Sequence, residues 1–368
     1  TNWTEVSDLN SVRSLAQGAG ANNTAALCYG GPGAVAITEK WNGTSWTEVA
    51  DLNTGRYSMG CVGTSTAALA AGGDNGPALA ITEQWDGSSW TEVGDMNETK
   101  STGTGTGTAT AGLAVGGTPS PTNANCEIWD GSSWTEVANL NSGRYALNGA
   151  GTSTDGLVFA GSPEPAGVAL TELWNGTAWT EVGDLNAARL QMAGAGTSTS
   201  AAIAFGGLNA ANYRAFTEDW NGASWTEVGD LNTARYLFSG SGTTTAGLAF
   251  GGDTDPGKKA LTESWNGSSW TEVNDLSTAR DTLIGYGTSS ASFAVGGSTP
   301  PISALTESWN GSSWTEVNDL STARTALSSA RVGTPTAGLV FAGSTGSVTG
   351  ATEEWNEPSP SVVSFTVS

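Results

Sequence analysis

The sequence predicts an all-β protein, a β-propeller of eight four-stranded blades, and three observations carry that prediction. A tryptophan-bearing motif returns eight times along the 368 residues, at intervals of 43 to 46 residues. Glycine accounts for 52 residues, and Asp, Glu, Lys and Arg together for only 13%. Short apolar segments alternate with Asn-Gly and Gly-Gly turns, which is typical of strands and hairpins. A period near 44 residues is that of a four-stranded blade and is too long for ankyrin or tetratricopeptide repeats.

All 16 tryptophans belong to this repeat. A turn such as WNGSSW separates two of them in each complete unit, and Asn-Gly favours a tight hairpin. We therefore expect Trp265 and Trp270 to lie opposite each other on one face of a sheet, with such pairs forming the core between blades. The two sets are Trp3, Trp46, Trp90, Trp134, Trp179, Trp225, Trp270 and Trp314, and Trp41, Trp85, Trp129, Trp174, Trp220, Trp265, Trp309 and Trp355.

The four strands of one unit can be read from the segment that follows Arg235. YLFSGSG is the innermost strand, AGLAFGG the second, ALTESW the third and WTEV the outermost. The innermost strands of the other units are also rich in Gly, Ala, Ser and Thr. Small residues suit strands that converge on a crowded axis, and they do not suit helices.

The order of the strands predicts how the ring closes. The chain opens with TNWTEV, an outermost strand without a blade of its own, and the last unit ends at ATEEWN without an outermost strand. Joining the two removes an exposed edge, so we expect residues 1–356 to form one eight-bladed propeller. Residues 357–368, EPSPSVVSFTVS, read as a Pro/Ser linker and a strand or tail that connects the protein to a larger assembly.

Composition excludes several functions. There is no histidine, which removes Ser/His/Asp and Cys/His catalysis and the commonest ligand of zinc and copper. Cys28, Cys61 and Cys126 form no metal-binding spacing and are expected to be buried small residues. The net charge of −22 disfavours nucleic acid, and no apolar segment is long enough to span a membrane. We expect no metal, no cofactor and no enzymatic activity.

Each unit resembles a kelch repeat over residues 1–356. The resemblance rests on a basic residue before the first strand, a Gly doublet after the second, and paired aromatic residues around the last turn. Tryptophan stands where kelch repeats commonly have tyrosine, the turn is shorter, and six or seven units are usual. The WNGxxW units are also similar to repeats in structural proteins of marine tailed phages and bacteria.

A basic residue follows every WTEV-type tryptophan by ten positions. The kelch resemblance implies that such cations can clamp an acidic glycan or a carboxylate-bearing peptide at the mouth of the channel. The alternative is a bond from each cation to the acid five positions after the same tryptophan, such as Asp230, fixing the connection between blades. Two glutamates per unit, such as Glu263 and Glu272, are interpreted as exposed strand positions. The basic residues are Arg13, Arg56, Lys100, Arg144, Arg189, Arg235, Arg280 and Arg324.

The variable loops between the second and third strands predict the binding face. They share one face with the links between blades, whereas the opposite face carries uniform turns. Their most distinctive side chains are Tyr213, Arg214, Lys258 and Lys259. A framework repeated eight times argues against an enzyme and for a binding or structural propeller, with a protein or surface glycan as partner, on a virion or cell surface. The alternative is a multivalent lectin with repeated sugar sites between blades.

Overall fold

The structure is a computed structural model, and none of the residues that it describes lies in a helix. The predicted linker and tail at 357–368 fall outside the described residues. The described residues are 2–356 except 14–15, 23, 102–103, 118–122, 146, 163–166, 191, 210–211, 255–256, 300, 326 and 330–336.

The strands assemble into four-stranded antiparallel sheets of one design, numbered here along the chain. In each, an inner strand pairs with a second, the second with a third and the third with an outer strand. The strands of sheets 1 to 4 are, in that order, Gln17–Asn22, Ala25–Tyr29, Thr38–Trp41 and Trp46–Glu48; Gly60–Thr64, Ala67–Ala71, Thr82–Trp85 and Trp90–Glu92; Thr104–Thr108, Ala111–Val115, Cys126–Trp129 and Trp134–Glu136; Asn148–Gly151, Gly156–Phe159, Thr171–Trp174 and Trp179–Glu181.

Sheets 5 and 6 each carry a short extra ribbon in the loop between their second and third strands. These ribbons pair Leu208–Asn209 with Asn212–Tyr213, and Asp253–Thr254 with Gly257–Lys258. The strands of sheets 5 to 8 are Ala193–Ser198, Ala201–Phe205, Thr217–Trp220 and Trp225–Glu227; Ser239–Gly242, Gly247–Phe250, Thr262–Trp265 and Trp270–Glu272; Ile284–Thr288, Ala291–Val295, Thr306–Trp309 and Trp314–Glu316; Ser328–Ser329, Ala337–Phe341, Thr352–Asn356 and Asn2–Glu5.

Seven sheets take their four strands from one continuous segment, and sheet 8 joins the two ends of the described chain. Its outer strand, Asn2–Glu5, pairs antiparallel with Thr352–Asn356, with Trp3 opposite Trp355. The N-terminal strand therefore occupies the place that the order of the motifs predicted. It covers the edge that the last three strands would otherwise leave open.

The core lies between neighbouring sheets. Between sheets 6 and 7, for example, Leu248 and Phe250 pack against Ala294 and Trp309. Equivalent clusters join every neighbouring pair, including sheets 7 and 8 and sheets 8 and 1. The sheets thus form a closed ring, and the predicted all-β propeller of four-stranded blades is confirmed.

The tryptophan pairs take the positions that the turns predicted. Trp265 and Trp270 are opposite residues of neighbouring strands, and their ring centroids are 5.3 Å apart. Trp270 also reaches the preceding sheet, where its Nε1 donates to Oγ1 of Thr217 at 2.9 Å. Burying an aromatic ring contributes about 2–3 kcal/mol, so the pairs supply apolar packing that the Gly- and Ala-rich inner strands lack.

Because successive strands run in opposite directions, the ring has two distinct faces. The loop face carries the loops between second and third strands and the links between sheets. The turn face carries the turns between first and second strands and between third and fourth strands. The inner strands, over the residues that the structure describes, contain no charged residue.

Candidate binding face

Each of the eight basic residues of the repeat is buried and paired with a glutamate of a third strand. The seven arginines are at most 2% exposed, and Lys100 is 4% exposed. Arg235, for example, approaches Oε1 of Glu263 to 3.1 Å and donates to the carbonyl oxygens of Leu261 and Ala249. The pairs are Arg13–Glu39, Arg56–Glu83, Lys100–Glu127, Arg144–Glu172, Arg189–Glu218, Arg235–Glu263, Arg280–Glu307 and Arg324–Glu353.

The partner acid also holds the link between sheets. Oε2 of Glu263 accepts from the backbone N–H and the side-chain amide of Asn232, at 2.6 and 2.8 Å. Earlier in the same link, Asp230 accepts from the backbone N–H of Thr217 in sheet 5 at 2.9 Å. One link is therefore tied to the sheet before it and to the sheet after it.

This geometry corrects both interpretations of the basic residues. They do not line an open channel mouth, because their side chains are almost completely buried. They fix the connection between blades, but through the third-strand glutamate and not through the acid of the link. Asp230 bonds a backbone amide instead. Such a pair needs further hydrogen bonds to offset the loss of hydration. The carbonyl oxygens of Leu261 and Ala249 accept two from Arg235, while the Nε of Arg235 has no partner in the described structure.

Both glutamates of each unit were expected to be exposed, and that expectation is wrong for the third-strand glutamates. Glu263 is 1% exposed, whereas Glu272, directly opposite on the outer strand, is exposed. The difference follows from the sheet edge, because the outer strand has solvent on one side. Burial raises the pKa of two third-strand acids, Glu307 and Glu353, while the neighbouring arginines oppose that rise.

The Gly doublet allows the basic residue to approach. Gly251 has φ +69°, and a Cβ built on it would lie 2.7 Å from the carbonyl oxygen of Arg280. Gly252 follows with φ +103° and donates its N–H to that same oxygen at 2.9 Å. Two units have alanine at the first position, Ala160 and Ala342, with φ +57° and +58°, so this place accepts a methyl group. The second position is glycine in every unit, and a Cβ on Gly252 would lie 2.9 Å from the carbonyl oxygen of Tyr236.

Lys100 is the exception among the eight pairs. Its Nζ lies 3.5 Å from Oε1 of Glu127, and desolvation lowers the pKa of Lys100. A cavity of about 50 Å³ adjoins it, lined in part by Met96 and Trp134. Lysine lacks the planar fork of arginine and leaves this space unfilled.

On the loop face, Tyr213 stacks on a tyrosine of the next link. The rings of Tyr213 and Tyr236 are nearly parallel, 12° apart, with centroids separated by 4.9 Å, and both residues are half-buried. Desolvation, followed by the proximity of Tyr213, raises the pKa of Tyr236. The pair joins the loop of sheet 5 to the link that enters sheet 6.

The same two positions, one unit further on, hold an ion pair. Nζ of Lys258 lies 2.7 Å from Oδ1 of Asp281 and 2.7 Å from Oγ of Ser298. Tyr213 and Tyr236 are 23 residues apart, as are Lys258 and Asp281. One structural position therefore carries an aromatic contact in one unit and a charged contact in the next.

Arg214 and Lys259 occupy equivalent places in their loops, each donating its N–H to the second glycine of the preceding doublet at 2.8 Å. Both residues are half-buried. The guanidinium carbon of Arg214 lies 5.6 Å from the ring centroid of Phe216. Among the arginines that the structure describes, Arg214 alone has no carboxylate within ion-pair distance.

The turn face is uniform by comparison. Asn266 Oδ1 accepts from the backbone N–H groups of Ser268 and Ser269 at 2.9 and 3.0 Å. Asn310 makes the same two bonds, and Asp86 makes them in sheet 2. The hydroxyl of Ser88, followed by the two backbone N–H groups, lowers the pKa of Asp86 to about 2. These hydrogen bonds hold the hairpin and explain the repeated turn sequence.

Sequence reasoning named Tyr213, Arg214, Lys258 and Lys259 but missed their neighbours on the links. Tyr236 and Asp281 each directly follow a buried arginine of the repeat. Alignment of the units would have shown that this position varies more than the arginine before it. The contact across two units could not be read from one unit alone.

The described residues contain no group of three or more His, Cys, Asp or Glu side chains that could hold a metal ion. They also contain no helix long and apolar enough to cross a membrane.

The fold and its loop-bearing face define a β-propeller, a class compatible with a binding or structural role. No protein-family model matches the sequence, and no curated protein matches it. Among solved structures, one titled "Structure of YjhT" is similar at 12% sequence identity and a TM-score of 0.47. The match covers 69% of this chain and 93% of that one.

Proposed function

We propose that the protein is a non-enzymatic, kelch-like propeller of eight blades that binds a macromolecular partner through its loop face. A virion or cell surface is the proposed location, and a protein or a surface glycan is the proposed partner. The buried ion pairs, tryptophan pairs and turn hydrogen bonds repeat from unit to unit, so they account for the framework. What differs from unit to unit is concentrated on the loop face.

One observation carries this proposal: the position that joins neighbouring units on the loop face changes its chemistry while its geometry stays constant. It holds the Tyr213–Tyr236 stack in one place and the Lys258–Asp281 pair in the next. These groups are half-buried rather than fully buried, apart from Asp281. Side chains held in place yet partly exposed suit recognition, because little conformational freedom is lost on binding.

The multivalent lectin remains the second candidate, and the cavities between sheets favour it. A cavity of about 330 Å³ lies between sheets 3 and 4, and one of about 270 Å³ between sheets 5 and 6. Both are lined by glycines, by apolar side chains such as Leu157 and Phe205, and by tryptophan. Titration with a sugar separates the candidates, since a lectin of this kind binds several equivalents and the loop face binds one.

The test compares binding of fluorescently labelled protein to glycan arrays and to intact bacterial and eukaryotic cells. The informative variant carries Tyr213→Ala and Arg214→Ala, and the matched control carries Ser268→Ala and Ser312→Ala on the turn face. We expect the loop variant to stay folded and to lose roughly tenfold or more in binding, and the turn variant to bind normally. The loop variant should melt slightly below the parent protein, because it loses the Tyr213–Tyr236 stack. Equal binding by the parent and the loop variant on every surface contradicts the proposal.

A further inference from the structure

We propose that Arg214 anchors a site for a carboxylate or sulfate group on a sugar of a sparsely charged glycan. This inference rests on the proposed role of the loop face and names its ligand. It follows from the lack of a carboxylate partner for Arg214, from the tyrosine pair beside it, and from the net negative charge of the protein.

The guanidinium of Arg214 has unused hydrogen-bonding capacity. Every other arginine that the structure describes forms an ion pair with a buried glutamate. Among the described residues Arg214 forms no ion pair, and its Nε, like that of Arg235, is buried without a hydrogen-bond partner. The missing carboxylate partner is what distinguishes Arg214 from the repeated arginines. Guanidinium groups bind carboxylate and sulfate oxygens through two parallel N–H bonds, so Arg214 has the donors that an anionic group requires.

The position of Arg214 is well defined before any ligand arrives. Its N–H donates to Gly207, its carbonyl oxygen accepts from the N–H of Arg235 at 3.3 Å, and its guanidinium lies over Phe216. A half-buried side chain supported in this way loses less entropy on binding than a free surface arginine. The backbone of the site is therefore tied to one of the repeated buried ion pairs.

The surface beside Arg214 suits a sugar better than an apolar peptide. The adjacent residue Tyr213 contributes half of the stacked tyrosine pair, which offers aromatic carbon and hydroxyl groups together. The described residues expose only three large apolar side chains, Val12, Leu237 and Val348, of which Leu237 follows Tyr236 in the chain. One exposed leucine gives an apolar peptide little area to bury, whereas the rings and hydroxyl groups of the tyrosine pair can pack against a sugar and form hydrogen bonds with it.

The net charge limits how many charges the ligand carries. At −22, the protein repels a polyanion over distances of about 10 Å, the range over which charges act at moderate salt. A ligand with one anionic sugar among neutral ones is repelled only weakly, and its single charged group can still bind the guanidinium of Arg214. The same argument disfavours heparin-like chains and strongly acidic peptides.

The experiment measures binding of methyl glucuronide, methyl glucoside and glucose 6-sulfate by saturation-transfer NMR and calorimetry. The informative variant is Arg214→Gln, and the control is Lys40→Gln, which removes one positive charge from a half-buried side chain of a third strand. We expect at least one anionic sugar to bind better than methyl glucoside. Arg214→Gln should weaken that binding roughly 10- to 100-fold, the usual effect of losing charge-assisted hydrogen bonds, and Lys40→Gln by less than about twofold.

Each result decides the matter. A preference for glucuronide or for the sulfate supports the proposal and identifies the anionic group. Equal affinity for charged and neutral sugars, lost with Tyr213→Ala, overturns the anionic site while leaving the loop-face function standing. Tighter binding of a poly-glutamate peptide than of any sugar overturns it in favour of a protein partner. No binding of any probe, together with no attachment to cells, overturns both proposals.

Arg214→Gln should melt like the parent protein, because the lost side chain makes no ion pair.

Discussion

The same residue type plays opposite parts in two regions of this molecule. Between the sheets, Arg235 is fully buried and tied to Glu263 and to backbone carbonyls. On the loop face, Arg214 is half-buried and has no carboxylate partner among the described residues. The buried arginine recurs in seven of the eight units, with lysine in the eighth, while Arg214 occurs once.

The comparison shows that repetition marks structure in this fold, and departure from repetition marks the places that are free to bind. A buried charge must be paired in every unit, since leaving one unpaired costs about 3–5 kcal/mol. A half-exposed loop carries no such constraint.

Removing residues 1–6 should cause the largest loss. It deletes the outer strand of sheet 8 and exposes the edge of Thr352–Asn356, which becomes a template for aggregation. We expect the free energy of unfolding to fall by more than about 5 kcal/mol, beyond the range of most point substitutions. Thermal melts with simultaneous light scattering measure both effects. A truncated protein that melts like the full chain would show that this strand does not close the ring.

Glu263→Ala should destabilise the fold by about 3–5 kcal/mol, because it leaves the Arg235 guanidinium buried without a counter-charge. It also removes the acceptor of two hydrogen bonds from Asn232. Glu272→Ala is the matched control, since this residue lies directly opposite Glu263 but is exposed. Its effect should stay within about 0.5 kcal/mol in urea unfolding. Similar losses for the two variants would remove the distinction between the glutamates.

Stability should fall at alkaline pH through two buried thiols. Burial raises the pKa of Cys28 and of Cys126 from 9.0 to about 11. Between these values the unfolded chain releases protons that the folded chain keeps, so stability present below pH 9 is lost as the pH rises towards 11. The loss is at most about 3 kcal/mol for each thiol.

Urea unfolding between pH 8 and pH 10.5 measures this dependence. The variant with Cys28→Ala and Cys126→Ala should show a flatter profile than the parent protein. Cys61→Ala is the control, because Cys61 is only half-buried and donates its thiol to Gln17. If the Cys61 variant flattens the profile and the double variant does not, the buried thiols are not the source.

Lys100→Arg should give the smallest effect, a gain of about 1 kcal/mol. The guanidinium would restore the pairing seen in the other units and fill part of the cavity beside Lys100. Lys40→Arg, at a half-buried position outside the repeated pairs, should change stability by less than about 0.5 kcal/mol. Urea midpoints compare the two, and a loss of stability in Lys100→Arg would mean that the pocket is shaped for lysine.

Much of the fold could be predicted because its signals are local and repeated. The turn between Trp265 and Trp270 predicts their hairpin, and the strand at the N-terminus predicts its place beside Thr352–Asn356. The candidate site was predictable only in part. Tyr213 was found because its loop is unusual, but its partner Tyr236 belongs to another unit and required the assembled ring.

The cysteines show that composition can predict burial but not the contacts that a buried residue makes with the next sheet. Cys28 and Cys126 are buried, as a chain without a cysteine pattern predicts, but the same prediction is wrong for Cys61, which is only half-buried. Cys126 stands where every other unit has threonine, so it cannot offer the hydroxyl that Thr217 gives to Trp270. The indole of Trp179 in the next sheet consequently meets a thiol in place of a hydroxyl. Only the contact between sheets makes that consequence visible.

By itself, the sequence determined the period, the four strands of each unit, the tryptophan pairs and the way the ends meet, because each depends on residues close in the chain or on exact repetition. The tertiary structure decided which of two similar glutamates is buried, which acid each arginine meets, and which arginine stays unpaired. Those outcomes depend on groups roughly 30 residues apart that compete for the same charge. Each arginine pairs with the glutamate that is buried beside it, because two opposite charges removed from water together stabilise each other.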